Sequence, residues 1–393
     1  MSGSSLDGLD VADVVFELNF DPKGELNHIS WTLQHARTLP YAASWVEKLS
    51  GLGKAPLPEV LSAHAAFGRY LGDLLQPLLQ TWNTQPEAVA LHGHTLFHEP
   101  SKGFSFQLGD GHALAQKLGL PVIFDFRTAD IALGGQGAPM SPLADKLLFT
   151  EHKAWLNLGG IANLTTVDEG RWQACDIGPA NQLFNALASE MGLPYDKDGE
   201  LGRRGKLLPE LLEQAVDKAY YHLPPPKSLS NQWVQAEALP LFKNYAAPIE
   251  DRLHTAYRFL GLLLFMHLKK FFTSTEERRT LFITGGGAHN KFLRSCLQEA
   301  IQPLNVFLHR PSPLIVDFKE ALLIALAGAL RLEGLPNFLP ETTGARAAAI
   351  GGNVVRAQSG RDARHCGRDA RHCVSTAATP PGPKSPPPAG PGC

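Results

Sequence analysis

Cysteine is scarce in this chain: there are five in 393 residues, and only Cys175 and Cys296 fall where the patterning is that of a folded domain. That argues against a disulfide-stapled secreted fold and for a reducing compartment. Neither sign of charge is in excess, with 36 Lys and Arg against 38 Asp and Glu and a net charge of −2. A nucleic-acid or anionic-membrane partner, which needs a basic footprint, is therefore not expected. Long apolar runs are missing too. Phe259–Leu268 and Ala321–Leu330 are each bounded by charges and are shorter than the roughly 20 residues that span a bilayer. The opening Met1–Ser2–Gly3–Ser4–Ser5 has neither the basic region nor the apolar core of a signal peptide. The 15 His lack zinc-ligand spacing. No Gly-x-x-x-x-Gly-Lys-Ser/Thr loop and no His-Arg-Asp motif occurs, which excludes P-loop enzymes and protein kinases. A cytoplasmic protein is expected.

What is present is a globular composition, 44% hydrophobic and 19% charged, long enough for two cores. Strand signals at Val11–Leu18, His28–Leu33, Ala88–His92, Pro121–Phe126, Ala154–Leu158, Ile161–Thr166, Trp172–Asp176, Thr280–Thr284 and Asn305–His309 are interspersed with helical periodicity. The longest helical stretches are Glu59–Trp82, Leu207–Tyr220, Ile249–Phe272 and Phe318–Leu332. Such alternation predicts an α/β protein with mixed sheets. The expected division is 1–150, 151–355 and a tail, 356–393. The tail carries Gly-Arg-Asp-Ala-Arg-His-Cys twice, at Gly360–Cys366 and Gly367–Cys373, and then a Pro/Gly/Ser-rich run. With no apolar periodicity it is expected to be disordered. That reading is preferred to a metal site at His365, Cys366, His372 and Cys373.

Four Gly-rich segments flank strands. Gly3–Ser4–Ser5–Leu6–Asp7–Gly8–Leu9–Asp10 precedes the first strand; its glycines and hydroxyls suit a phosphate and its carboxylates a hydrated Mg²⁺, although a mobile terminus has the same composition. Asn157–Leu158–Gly159–Gly160–Ile161–Ala162–Asn163 is a strand entering a Gly-Gly turn, as in many hairpins. Thr284–Gly285–Gly286–Gly287 follows a buried strand; close approach of a nucleotide and a ligand-free loop both account for it. Ala174–Cys175–Asp176–Ile177–Gly178–Pro179–Ala180–Asn181 places a carboxylate at a strand end before a helix, where loops project chemistry from a rigid scaffold. Cys175 is expected to point away from Asp176 because side chains alternate along a strand.

Taken together and in order, Met1–Asp10, His92–Thr95, Asp125–Pro139, Asn157–Asn163, Asp176–Asn181, Tyr195–Gly199 and Thr284–Gly287 resemble the anhydro-N-acetylmuramic acid kinase family over roughly Met1 to Gly352. The resemblance implies the two-domain α/β fold of actin and hexokinase (ribonuclease H-like), with ATP in a cleft between the domains. It implies that ATP, with Mg²⁺, and water open the 1,6-anhydro bridge of a cell-wall recycling sugar and give the 6-phosphate. By the same resemblance Asp176 is the general base. Gly3, Ser4, Ser5, Leu6, Asp7, Gly8, Leu9 and Asp10 form the phosphate-binding turn, with Asp7 or Asp10 near the metal. Asn157, Gly159, Gly160, Gly285, Gly286 and Gly287 match the other phosphate and nucleotide loops, and His92, Asp125, Arg127, Gln136, Asp196 and Glu320 match positions facing the sugar. Arg127 has the planar fork for a lactyl carboxylate, and equally the charge for a surface ion pair with Asp125 or Asp130. A homodimer is also implied.

The chain departs from the family pattern in two respects. Members usually carry a strand and a glycine before the Met-Ser-Gly motif, so either the start lies upstream of Met1 or the first sheet lacks a central strand. Ile177 and His94 stand where many relatives have Thr and Gln. These departures keep two alternatives in view: a kinase for another amino or anhydro sugar, and an inactive sugar- or nucleotide-binding relative.

Overall fold

The computed structural model describes residues 1, 8–225, 227–272, 276–357 and 371–374. They divide into two compact units, one made of Met1–Ala129, Ile324–Pro336 and the chain from Ile350 onward, the other of Asp130–Leu323 and Asn337–Ala349. The break at 129/130 falls earlier than the expected 150, and the chain returns to the first unit twice. The helix Pro313–Leu332 carries it across. Such a return is set by long-range contacts, which leave no mark in composition.

The strands are β1 Gly8–Phe20, β2 Leu26–Pro40, β3 Ala88–Leu91, β4 His94–Glu99, β5 Phe104–Leu108, β6 Val122–Phe124, β7 Ala154–Leu158, β8 Ile161–Asp168, β9 Arg171–Pro179, β10 Arg279–Thr284, β11 Val306–His309, β12 Asn353–Val355 and β13 Arg371–Val374. The first unit holds the sheet β12-β6-β3-β13-β1-β2. The long β1–β2 pair is antiparallel and β3–β6 parallel. In it β13 runs antiparallel to β1 and parallel to β3. This strand falls within the 356–393 tail, and its ladder bonds run between main chains, which make few demands on sequence. Residues 358–370 and 375–393 lie outside the described residues. The helix Leu57–Trp82 packs on this unit's core through Val60, Ala63, Phe67, Leu71, Leu75 and Leu78, one stripe at helical spacing.

The second unit is built on the sheet β11-β10-β7-β8-β9, parallel from β11 to β7 and antiparallel from β7 to β9. Its core gathers Leu156, Leu164, Ile177, Leu183, Leu260, Leu263, Leu264, Ile283 and Leu297 around the helix Ile249–Phe271. The α/β class and the mixed sheets read from the sequence hold in both units. The expected helix Leu207–Tyr220 is two pieces, Pro209–Val216 and Ala219–His222. Short helices at Ala43–Gly51, Arg127–Ala132 and Ser141–Leu148 were not anticipated.

Leu260 is fully buried in the second core. Leu260→Ala should destabilise the protein by about 2–5 kcal/mol, the range for a buried leucine truncated to leave a cavity; urea unfolding reads the loss as a lower midpoint.

Candidate active site

Parallel pairing of β7 with β10 sets Thr284 beside Asn157, so the turns that follow both strands emerge at the same sheet end. This is where open α/β sheets bind ligands. Gly285 has φ of +81°, and a Cβ there would stand 2.8 Å from the Leu158 carbonyl oxygen and 2.5 Å from Asn157 Oδ1. Gly287 would likewise meet Leu158 Cβ at 2.8 Å. These two glycines are required by packing. Gly159 and Gly286 differ: an added Cβ would find nothing closer than 3.5 Å and 3.6 Å respectively, so each leaves a backbone face bare. A phosphate or nucleotide has room against those faces, which fits the expected ATP.

The helix Asn181–Ala188 begins against the same turn. The Ala180 and Gln182 amides donate to Gly160 O and the Asn181 amide to Gly159 O, at 2.9–3.1 Å. Asn181 Nδ2 also donates to Leu158 O at 3.0 Å. Three chain segments (157–160, 180–182 and 285–287) are thereby locked together.

Asp176 lies three residues before the end of β9, roughly 10 Å of extended chain from that junction. Its half-buried carboxylate accepts from Asn163 Nδ2 at 3.0 Å through Oδ1 and from the Leu229 amide at 2.8 Å through Oδ2. The Asp176 amide donates to Lys227 O at 3.0 Å and its carbonyl accepts from the Tyr220 hydroxyl at 2.7 Å. Burial raises the carboxyl above the ordinary carboxylate range, and the bonds from Asn163 and Leu229 hold it back. The group is a stronger base than a surface aspartate. Cys175 points into the core, as alternation predicts; burial pushes its thiol up to about 12, which makes it an inert packing residue. Ile177 is fully buried in the same core.

In the first unit, His92 Nδ1 lies 2.9 Å from Gly93 O, and Arg127 donates to His92 Nε2 from Nε and Nη2 at 3.1 and 3.0 Å. Arginine can only donate, so His92 is neutral with its proton on Nδ1. Burial, then the Arg127 charge, holds its pKa well below the usual histidine value. Of the carboxylates weighed as partners for Arg127, Asp125 accepts from Thr128 Oγ1 at 2.5 Å and Asn353 Nδ2 at 3.1 Å, and Asp130 from Thr343 Oγ1 at 2.8 Å and the Gly137 amide at 2.7 Å. Asp125 has φ of +59°, and burial raises its pKa. His94, in place of the Gln of many relatives, is buried at the start of β4. Asp10 accepts from Thr38 Oγ1 at 2.6 Å, and its main chain exchanges bonds with Met1. Gly8 and Leu9 open β1 beside it. Gly3, Ser4, Ser5, Leu6 and Asp7 lie outside the described residues.

Among the described residues no cluster of three metal-ligating side chains exists. Mg²⁺ on a nucleotide keeps most of its waters and takes one or two protein carboxylates, a demand that Asp10 fits.

Asp196, expected to face the sugar, is bonded within its own segment and to the helix packed on it. It is only 5% exposed. Its Oδ1 accepts from the Leu201 amide at 2.9 Å and its Oδ2 from the Gly202 amide at 3.0 Å and the Tyr257 hydroxyl at 2.9 Å. Those amides open the helix Glu200–Arg204, so Asp196 caps it. Gln136 is exposed in a loop pinned by its own amide to Thr343 O at 2.9 Å. Glu320 is exposed on the helix Pro313–Leu332. Sequence reasoning assigned no role to Asn163, Tyr220 or the 227–229 segment. A signal for Asn163 existed: pairing counted back from the two-residue Glu169–Gly170 turn sets it opposite Asp176.

The model of the family described as anhydro-N-acetylmuramic acid kinase matches residues 1–357. A protein of that name from Pseudomonas syringae pv. syringae is 33% identical over 90% of this chain and 97% of its own. Another from Gloeobacter violaceus is 32% identical over 89% and 96%. Among solved structures, a ROK hexokinase from Thermus thermophilus matches at 17% identity and a TM-score of 0.32, covering 80% of this chain and 98% of that one.

Asp196→Ala should lower stability by about 1–3 kcal/mol, the range for leaving buried donors unpaired, while KM for the sugar stays near wild type. Thermal unfolding together with steady-state kinetics separates the two. Gly285→Ala should destabilise by about 1–3 kcal/mol from forced φ and backbone overlap. Gly286→Ala should leave the melting temperature within a degree or two and raise KM for ATP instead.

Proposed function

This chain belongs to the anhydro-N-acetylmuramic acid kinase family, and on that premise we propose that Asp176 is the general base with which it opens its sugar. It is a sugar kinase. Anhydro-N-acetylmuramic acid is the substrate, and N-acetylmuramic acid 6-phosphate is the product. The observation that carries the assignment of the base is the carboxylate of Asp176: partly buried, raised in basicity, and oriented by two fixed donors.

The chemistry asked of it follows. Water attacks the anomeric carbon and gives a proton to Asp176 as the C1–O6 bond breaks. The freed O6 takes the phosphoryl group, which ATP supplies with Mg²⁺ balancing its charge. A carboxylate is suited to this step because it is ionised at neutral pH yet accepts a proton once the attacking water becomes acidic in the transition state. The remaining groups bind and orient. Gly159, Gly160 and Gly285–Gly287 would receive ATP, with Gly3–Asp10 as the second phosphate-binding turn and Asp10 or Asp7 toward the metal. Neutral His92 holds Arg127 by its guanidinium edge and so fixes the direction of a cation suited to the lactyl carboxylate. Asp125, Gln136 and Glu320 stand as further sugar-facing groups. Asp196 is the sixth of the sugar-facing positions, and two of its three donors are the helix amides that it caps. A cytoplasmic location and a homodimer complete the reading. Among the described residues no helix is long and apolar enough to cross a membrane.

Asp176→Asn keeps the shape and removes the base. It should lower kcat by about 10²–10⁴-fold with the fold intact, as measured by 6-phosphate formation from the anhydro sugar, ATP and Mg²⁺. Full activity in that variant would sink the assignment. The base works only when deprotonated, so kcat should fall as pH drops through the folded pKa of Asp176. Burial places that acid limb above the ordinary value of 3.8.

A further inference from the structure

Resting on Asp176 as the base, we propose that Asn163 is a positioning residue that sets the direction and proton affinity of that carboxylate. The β8–β9 hairpin turns at Glu169–Gly170 and keeps one register back to Asn163 opposite Asp176. The next pair is Ala162 with Gly178, so Ile177 is an extra residue on β9. A bulge of this kind ends regular pairing and is common beside active sites. Here Asp176 is the last residue held in the register of the turn, and Ile177 drops into the core. Asn163 and Asp176 face each other across neighbouring strands, close enough for the 3.0 Å bond from Nδ2 to Oδ1.

On the outer side of β9 the segment Lys227–Leu229 completes the clamp. Lys227 O takes the Asp176 amide, and the Leu229 amide donates to Oδ2. Each carboxylate oxygen therefore has one fixed donor and keeps one lone-pair direction for a proton. Asn163 supplies the side-chain half of this arrangement. The other titratable groups around the carboxylate are accounted for. The Lys227 ammonium donates to Tyr220 O and Tyr221 O at 3.0 and 3.2 Å, the Tyr220 hydroxyl is on the Asp176 carbonyl, and Cys175 faces the core. Lys270 acts on Cys175 and Lys227 through its charge. Removing Asn163 takes away a donor that favours the ionised carboxylate, so the pKa must rise.

The test compares pH profiles of kcat for wild type, Asn163→Ala, Asn163→Asp and Asp176→Asn, with circular dichroism and thermal melts for each. Asn163→Ala should move the acid limb up by about one pH unit and lower the plateau kcat about tenfold, with KM for ATP unchanged. The isosteric Asn163→Asp, which puts a second carboxylate against the first, should move the limb further in the same direction and serves if the alanine variant fails to fold. An unshifted limb in a folded variant, with Asp176→Asn inactive, would leave the base standing and overturn the role of Asn163. An active Asp176→Asn would remove both.

Discussion

The parallel alignment of β7 with β10 is the constraint from which the second unit's site follows. With Thr284 beside Asn157, two glycine turns must share one small volume, and they can do so only because Gly285 lacks a Cβ. The Leu158 backbone and the Asn157 side chain occupy the space a side chain would need. Once these turns are packed, the amides at 180–182 have acceptors in Gly159 and Gly160, and the helix Asn181–Ala188 starts at a fixed point. Asp176 inherits its position from the strand that feeds that helix. A shift of β10 along β7 by one residue would separate the turns.

In the role proposed for it, Asp176 would be a base made without a charged neighbour in hydrogen-bond contact. Burial alone disfavours the ionised form. Two neutral donors, an amide side chain and a main-chain N–H, oppose it while adding no charge that a proton would have to leave against. The same two donors fix the plane of the carboxylate. Basicity and direction are thus set by one pair of contacts.

Much of this was legible in the sequence. The strands β7 to β11 and the long helices follow from hydrophobic patterning, and the Gly-rich turns and Asp176 were visible as motifs. Packing roles were not. Gly285 and Gly286 look identical in sequence, yet one is pressed against backbone and the other faces open space. The partition into units rests on contacts between residues far apart in the chain. Asn163 was missed although the hairpin register pointed to it, since a bulge beyond that pair is invisible without the partner strand. In Arg371–Val374 a low-complexity composition hid a strand, because pairing between main chains is nearly blind to side chains.

The two aspartates at 176 and 196 make the limits of motif reading concrete. Each stands in a Gly-containing segment just ahead of a helix, and each carboxylate accepts at both oxygens. What differs is the count and the consequence. Asp196 takes three donors in a site that is 5% exposed, two of them the amides that open a helix. Asp176 takes two, is less buried, and sits on an edge strand whose outer side is covered by only a short strap. A lone pair on each oxygen is left to receive a proton. A capping carboxylate serves by being bonded to helix amides, and a basic one needs a lone pair directed at its proton donor.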